Sequence, residues 1–183
     1  MYATHYSNPG SLVPIDVATI GSAKKTLDIA AYALVDAEII TAILKAAATS
    51  VDVRIYLDRT ELEASERHDP TGNRWPGRTL LGSPHVEIKV KESTVLMHLK
   101  SYCVDGTTLR DGSANFSQEG EIQQDNSLTL TDDTAAVAAF QAKFEAMWAR
   151  PDNLTVAQAV QSRATGPSSV FYPAGRTRPA KYR

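Results

Sequence analysis

The chain has 183 residues, of which 43% are hydrophobic and 22% charged, a balance that fits one globular domain and excludes a disordered chain or a long coiled coil. Its single cysteine, Cys103, excludes an internal disulfide framework and a zinc site built from cysteines. The net charge of −2 hides a divide: residues 1–149 carry 13 basic and 20 acidic side chains, whereas residues 150–183 carry six basic and one acidic.

Hydrophobic periodicity predicts an alternation of strands and helices. Tyr2–Ser7 reads as a strand, and Pro14–Lys25 as a helix with proline in its first turn. Thr26–Leu34 is an apolar run of strand length, and Asp36 is placed to cap a helix reaching Ala48. Val51–Leu57 is β-branched and alternating, hence a strand. This order argues for βαβ units and parallel pairing. Arg59–Leu81, with its prolines and glycines, predicts a partial helix followed by an ordered loop of the kind that borders a cleft.

The second half is β-rich. Val86–Val90, Leu99–Val104, Thr107–Arg110 and Ser127–Thr131 read as strands, with Asp105-Gly106 as a hairpin turn. Thr134–Ala149 follows as an amphipathic helix. Cys103 shares strand parity with Leu99 and reads as a small buried hydrophobe. Beyond Pro151 the periodicity stops. The organisation expected is one catalytic domain over residues 1–150 and a basic, partly irregular tail over 151–183. That tail reads either as a polyanion-binding arm or as a solvated terminus. No apolar run is long enough to span a membrane, so no stable membrane insertion is expected. The opening Met1–Tyr6 has no leader pattern, which leaves cytoplasmic synthesis or removal of a signal peptide as alternatives.

The chemistry concentrates in Met97–Asn126. His98 and Lys100 lie two apart on a strand and so project to one face. Two potentially cationic groups make a poor core arrangement unless an anion sits between them. Gly112-Ser113-Ala114-Asn115 then adds a glycine for close backbone approach, a hydroxyl and a carboxamide. The set is suited to a phosphate or sulfate oxyanion and requires no metal. Each piece alone also has a plain structural reading, as a hydrogen-bonded strand histidine and an ordinary loop.

The spacing His98-x-Lys100-x4-Asp105-x6-Gly112-Ser113-x-Asn115 resembles the HKD signature of the phospholipase D superfamily. With His5-Tyr6-Ser7, Ala23–Tyr32 and Val51–Asp58, the chain is similar to bacterial single-motif endonucleases of the Nuc type. The resemblance implies an α/β fold with a mixed, largely parallel sheet flanked by helices on both faces. It also implies a metal-independent phosphodiesterase, foremost a nuclease on DNA or RNA, that works through a covalent phosphohistidine without a cofactor. In that scheme His98 is the nucleophile or acid, Lys100 and Asn115 clamp the phosphate, and Ser113 supports them. Asp105 and Gly112 are structural, and Asp125 orients the histidine.

A second HKD histidine is needed, but His5, His68 and His85 have no lysine two residues later. A homodimer sharing one active site is therefore expected. His5, Arg74, Trp75 and Arg78 are candidate substrate contacts, with Trp75 read either as a base-stacking group or as a loop anchor. The alternatives to a nuclease are a phospholipase D or small-phosphodiester hydrolase, and a noncatalytic nucleic-acid-binding module.

Overall fold

The computed structural model describes residues 2–66 and 75–161. Seven strands form one sheet: β1 (Tyr2–Tyr6), β2 (Thr26–Ala31), β3 (Asp52–Leu57), β4 (Val86–Val90), β5 (Lys100–Val104), β6 (Thr108–Gly112) and β7 (Ser127–Thr131). Their spatial order is β1-β7-β6-β5-β2-β3-β4. Five α-helices accompany them: α1 (Val13–Gly21), α2 (Ala37–Ala48), α3 (Arg59–Ser65), α4 (Thr134–Trp148) and α5 (Val156–Gln161).

The sheet is mixed and covered by helices on both faces. One core gathers Ile20 of α1, Ile39 and Ile43 of α2, and Val156 and Ala159 of α5 against Leu27, Ile29, Val53 and Ile55. The opposite face packs α4, through Phe140, Phe144 and Met147, onto Ala30, Tyr56, Cys103 and Leu109. Leu99 joins that second cluster, on the same side as Cys103, as strand alternation requires.

Parallel pairing, expected to dominate, is confined to β2–β3 and β3–β4. The other four pairings are antiparallel. The reason lies in connection length: β5 returns as β6 through a three-residue turn, which only an antiparallel neighbour can accept. β1 also departs from the simple βαβ reading, because it leaves its helix-linked successor and pairs with β7 at the sheet's outer edge.

Local signals set most boundaries. Asp36 caps α2, its Oδ1 accepting from the amides of Glu38 and Ile39, an arrangement worth about 1 kcal/mol. The β5–β6 turn has positive φ at Asp105 (52°) and Gly106 (65°), as a tight hairpin demands. The helix expected to reach Lys25 stops at Gly21, and Ser22 turns its hydroxyl back onto the Thr19 carbonyl. The ordered body also runs past Pro151. Leu154 bridges to Val90, Asn153 bonds the Tyr56 hydroxyl, and α5 enters the core. The remainder of the basic tail lies outside the described residues.

Asp105 fastens this frame. Its carboxylate accepts the backbone amides of Lys24, Lys25 and Thr26 at 2.7–3.2 Å, tying the hairpin turn to the start of β2. Burial pulls its pKa upward, but the three amides together hold it below the ordinary carboxylate value. Asp105→Ala should lower stability by about 2 kcal/mol through the loss of charge-assisted bonds. Thermal melts test this, with folded protein below the transition keeping its secondary structure.

Candidate active site

Strand polarity alone collects the polar candidates at one edge of the sheet. β2 and β3 run toward that edge, β5 starts there, β6 ends there, β7 starts there and β1 ends there. The residues just beyond those ends are Tyr32, Asp58, His98, Ser113–Asn115, Asn126 and Ser7.

His98 precedes β5 and is exposed. Its ring meets the Tyr32 ring edge-on, with centroids 4.5 Å apart. Among the described residues, no hydrogen bond reaches the imidazole nitrogens, so both are open to a ligand. Lys100 is 5% exposed. Its Nζ lies 4.6 Å from the centre of the same Tyr32 ring and donates to the His98 carbonyl at 2.9 Å. The shared aromatic partner places His98 and Lys100 on one side, as their spacing predicts. Burial pushes the Lys100 ammonium down to about 8, with repulsion from Arg110 adding to the fall while Asp58 and Glu61 oppose it.

Asn115 follows β6. Its side-chain Oδ1 is buried without a hydrogen-bond partner among the described residues. Two glycines shape this turn. A Cβ on Gly112, where φ is 152°, would lie 2.2 Å from the Ser127 carbonyl oxygen, and one on Gly120 would lie 2.5 Å from the Asn115 carbonyl oxygen. Neither position accepts a side chain without moving backbone, so the glycines allow the turn to close over the site.

Ser113 differs from its expected role. Its hydroxyl donates to Asn126 Oδ1 at 2.9 Å and accepts the Ser127 amide at 3.0 Å. A hydroxyl has one proton to give, so Ser113 braces the turn rather than donating to a bound oxyanion. Asn126 completes the brace through Nδ2 to the Gly120 carbonyl.

Asp125, expected to orient the histidine, is exposed and accepts from Asn8 Nδ2 at 3.3 Å. The neighbouring Asn126 is pinned inward by Ser7, Gly120 and Ser113, which turns Asp125 toward solvent. His5 lies on β1, three strand steps from β5, or roughly 14 Å at the usual strand spacing. It is therefore not beside the His98–Lys100 pair.

Trp75 is 2% exposed, and its indole donates to the Leu34 carbonyl at 2.7 Å. Its ring also occupies the space a Cβ on Gly77 would fill. It anchors the loop and offers no face to a base. Arg78 forms a two-point pair with Glu66, both contacts 2.7 Å. Its charge is thus largely committed within the chain. Arg74 lies outside the described residues.

Several side chains that shape the site were not singled out from the sequence. Asp58 bridges two segments: Oδ1 accepts the Glu61 amide and caps α3, while Oδ2 accepts the Met97 amide next to His98. The pattern Asp58-x-x-Glu61 is a legible capping signal. Glu61 faces Tyr32, and burial raises both groups above their ordinary values.

Beneath the site lies a fully buried cluster of Asp16, Arg110 and Glu121. Arg110 pairs with Asp16 at 3.0 Å and with Glu121 at 3.1 Å, and the Tyr102 hydroxyl donates to Asp16 at 2.7 Å. Strand parity could have flagged Arg110, which pairs directly with Tyr102. Glu121 sits in a π-helical turn, Glu119–Gln123, that no sequence pattern announced. Among the described residues no three His, Cys, Asp or Glu side chains converge as a metal site requires, and no helix is long and apolar enough to cross a membrane.

Comparison with known proteins places this geometry in context. Residues 17–148 match a family model described as "Cardiolipin synthase, PLD-like domain". The chain is similar to mitochondrial cardiolipin hydrolase of Xenopus laevis, with 27% identity over 135 residues, 73% of this chain and 59% of that protein. The corresponding protein of Chlamydomonas reinhardtii is 26% identical over 129 residues, 70% of this chain and 54% of that protein. The chain thus spans a little over half the length of these curated relatives. In fold it is similar to Nuc, a phospholipase D family member from Salmonella typhimurium, with TM-score 0.67, 21% identity and coverage of 81% of this chain and 93% of that one. NucT from Helicobacter pylori gives TM-score 0.65 and 19% identity, covering 81% of this chain and 96% of that one.

The buried cluster generates a stability prediction. Burial raises Glu121 from 4.5 to about 8, the Asp16 charge adding to the rise and Arg110 opposing it. The folded chain therefore holds a proton that the unfolded chain releases, so this contribution is complete below pH 4.5 and is lost as pH rises through about 8. Melting temperatures should fall over that interval, and Glu121→Gln should flatten the fall.

Proposed function

The chain belongs to the phospholipase D-like family, and we propose from this that it is a metal-independent phosphodiesterase, foremost a nuclease, that works as a homodimer through a phosphohistidine. The observation carrying this reading is the convergence of an open imidazole and a desolvated ammonium on one aromatic ring. Tyr32 fixes His98 edge-on and underlies the Lys100 ammonium. The carboxamide of Asn115 belongs to the same sheet edge.

A ring nitrogen of His98 attacks phosphorus as the bond to the leaving oxygen breaks. That oxygen takes its proton from the imidazolium of a second His98, supplied by a second copy of the chain. The resulting neutral imidazole then removes a proton from water, whose oxygen attacks phosphorus and releases the first histidine. Lys100 and Asn115 hold the nonbridging oxygens, where charge grows in the transition state. Lys100 has three ammonium donors, of which the described residues take one, at the His98 carbonyl. The lysine thus supplies the positive charge that a metal supplies in other phosphodiesterases.

A lipid phosphodiester is the second reading, and two observations favour it. Val95 and Leu96, immediately before Met97-His98, are 72% and 48% exposed. The curated relatives are named as cardiolipin hydrolases. An acidic body of 13 basic and 20 acidic residues before Arg150 also gives a polyanion little general attraction.

Incubation with single-stranded DNA, duplex DNA, RNA, bis-p-nitrophenyl phosphate and cardiolipin vesicles, all in excess EDTA, separates these readings. Cleavage should persist under chelation, and His98→Ala should lower it by about a thousandfold or more. Loss of all activity with EDTA, or an active monomer in analytical ultracentrifugation, contradicts the scheme. Because Lys100 is charged only below about 8, turnover should decline as pH rises through that value.

A further inference from the structure

Arg110 is wholly buried, yet every N–H of its guanidinium has an acceptor. Nε donates to Asp16 Oδ1 at 3.1 Å, and Nη2 to Asp16 Oδ2 at 3.0 Å and Glu121 Oε1 at 3.1 Å. Nη1 donates to the Lys100 carbonyl at 2.6 Å and to the Ala114 carbonyl at 3.1 Å. A guanidinium offers five donors, and all five are taken. Its flat face also rests on Phe116, 4.6 Å from the ring centre.

The two carbonyls are informative. One belongs to Lys100 itself, and the other to the residue between Ser113 and Asn115. A single side chain thus ties together the two backbone segments that carry the phosphate clamp, whose carbonyls at Lys100 and Ala114 lie fourteen positions apart across a hairpin. The Asp16 carboxylate on α1 and the Glu121 carboxyl group in the π-helical turn hold that side chain in place from the far side. We propose that Arg110 is a positioning residue, whose planar fork sets the spacing of Lys100 and Asn115.

The proposal rests on the phosphodiesterase reading for its kinetic consequences but not for its electrostatic one. The groups facing Lys100 are Arg110 from β6, Asp58 and Glu61 from the start of α3, Tyr32 after β2, and the neighbouring His98. Those facing Arg110 are Asp16, Tyr102, Glu121 and Lys100. Within this set Arg110 is the cation acting against Lys100, whose fall to about 8 follows first from burial and then from Arg110.

Two variants separate the roles. Arg110→Lys keeps the charge but loses the fork. Arg110→Met combined with Asp16→Asn removes the charge without leaving an unpaired carboxylate at position 16. With bis-p-nitrophenyl phosphate, Arg110→Lys should lower kcat by tenfold or more, change KM less, and leave the alkaline limb in place. The double variant should lower kcat and also move that limb upward by at least half a pH unit.

NMR titration of isotope-labelled lysine, with Lys100 assigned by Lys100→Gln, reads the same shift without activity. That readout stands even if His98→Ala proves fully active, so failure of the phosphodiesterase reading remains distinct. Folded variants with kcat within twofold of the parent and an unmoved Lys100 titration overturn the proposal. Failure of both variants to fold also overturns it, since Arg110 would then serve the fold as a whole.

Discussion

Lys100 sits almost out of water at the point where β5 begins, and an ammonium in that position needs compensation it cannot draw from solvent. The chain provides it in pieces: the His98 carbonyl, the face of Tyr32, and the more distant carboxylates of Asp58 and Glu61. None of these is a direct ion pair. The ammonium is stabilised enough to remain in place, and an anion entering the site meets a strong, little-screened field. A fully paired lysine would lose that capacity.

The surrounding structure maintains this balance. Asp58 joins the start of α3 to the backbone beside His98, so the helix that brings Glu61 near Lys100 is fixed relative to His98. Gly112 and Gly120 let the turn that carries Asn115 pack against neighbouring backbone, and Ser113 and Asn126 lock it. The buried Asp16–Arg110–Glu121 cluster supports this layer from below. Three ionisable groups in a core are costly unless every donor is met, and the Arg110 donors are met.

Likeness to phospholipase D-like proteins and the local geometry point to the same chemistry from different directions. The family model covers the span from α1 to the end of α4, which includes every residue at the polar sheet edge except Ser7 and the rest of β1. The structural relatives share the fold at low identity. The rim of the site has its own features. Exposed Val95 and Leu96 flank the histidine, and Arg78 is drawn back onto Glu66. The rim is where nucleic acid and lipid would be told apart.

The linear pattern alone was sufficient for features governed by neighbours in the chain. The Asp36 cap, the Asp105-Gly106 hairpin, most strand positions and the His98–Lys100–Asn115 spacing are all local, set by backbone propensity or strand alternation. The roles of Ser113, Asp125, His5 and Trp75 were not local. Each depends on a partner far along the chain: Asn126 accepts from the Ser113 hydroxyl, Asn8 bonds Asp125, β7 separates β1 from β6, and the Leu34 carbonyl accepts from the Trp75 indole. The dominance of antiparallel pairing and the buried Arg110 cluster have the same origin. Hydrogen-bond and ion-pair partners are chosen by which distant segments packing brings within about 3 Å, and that choice is made only when the sheet closes.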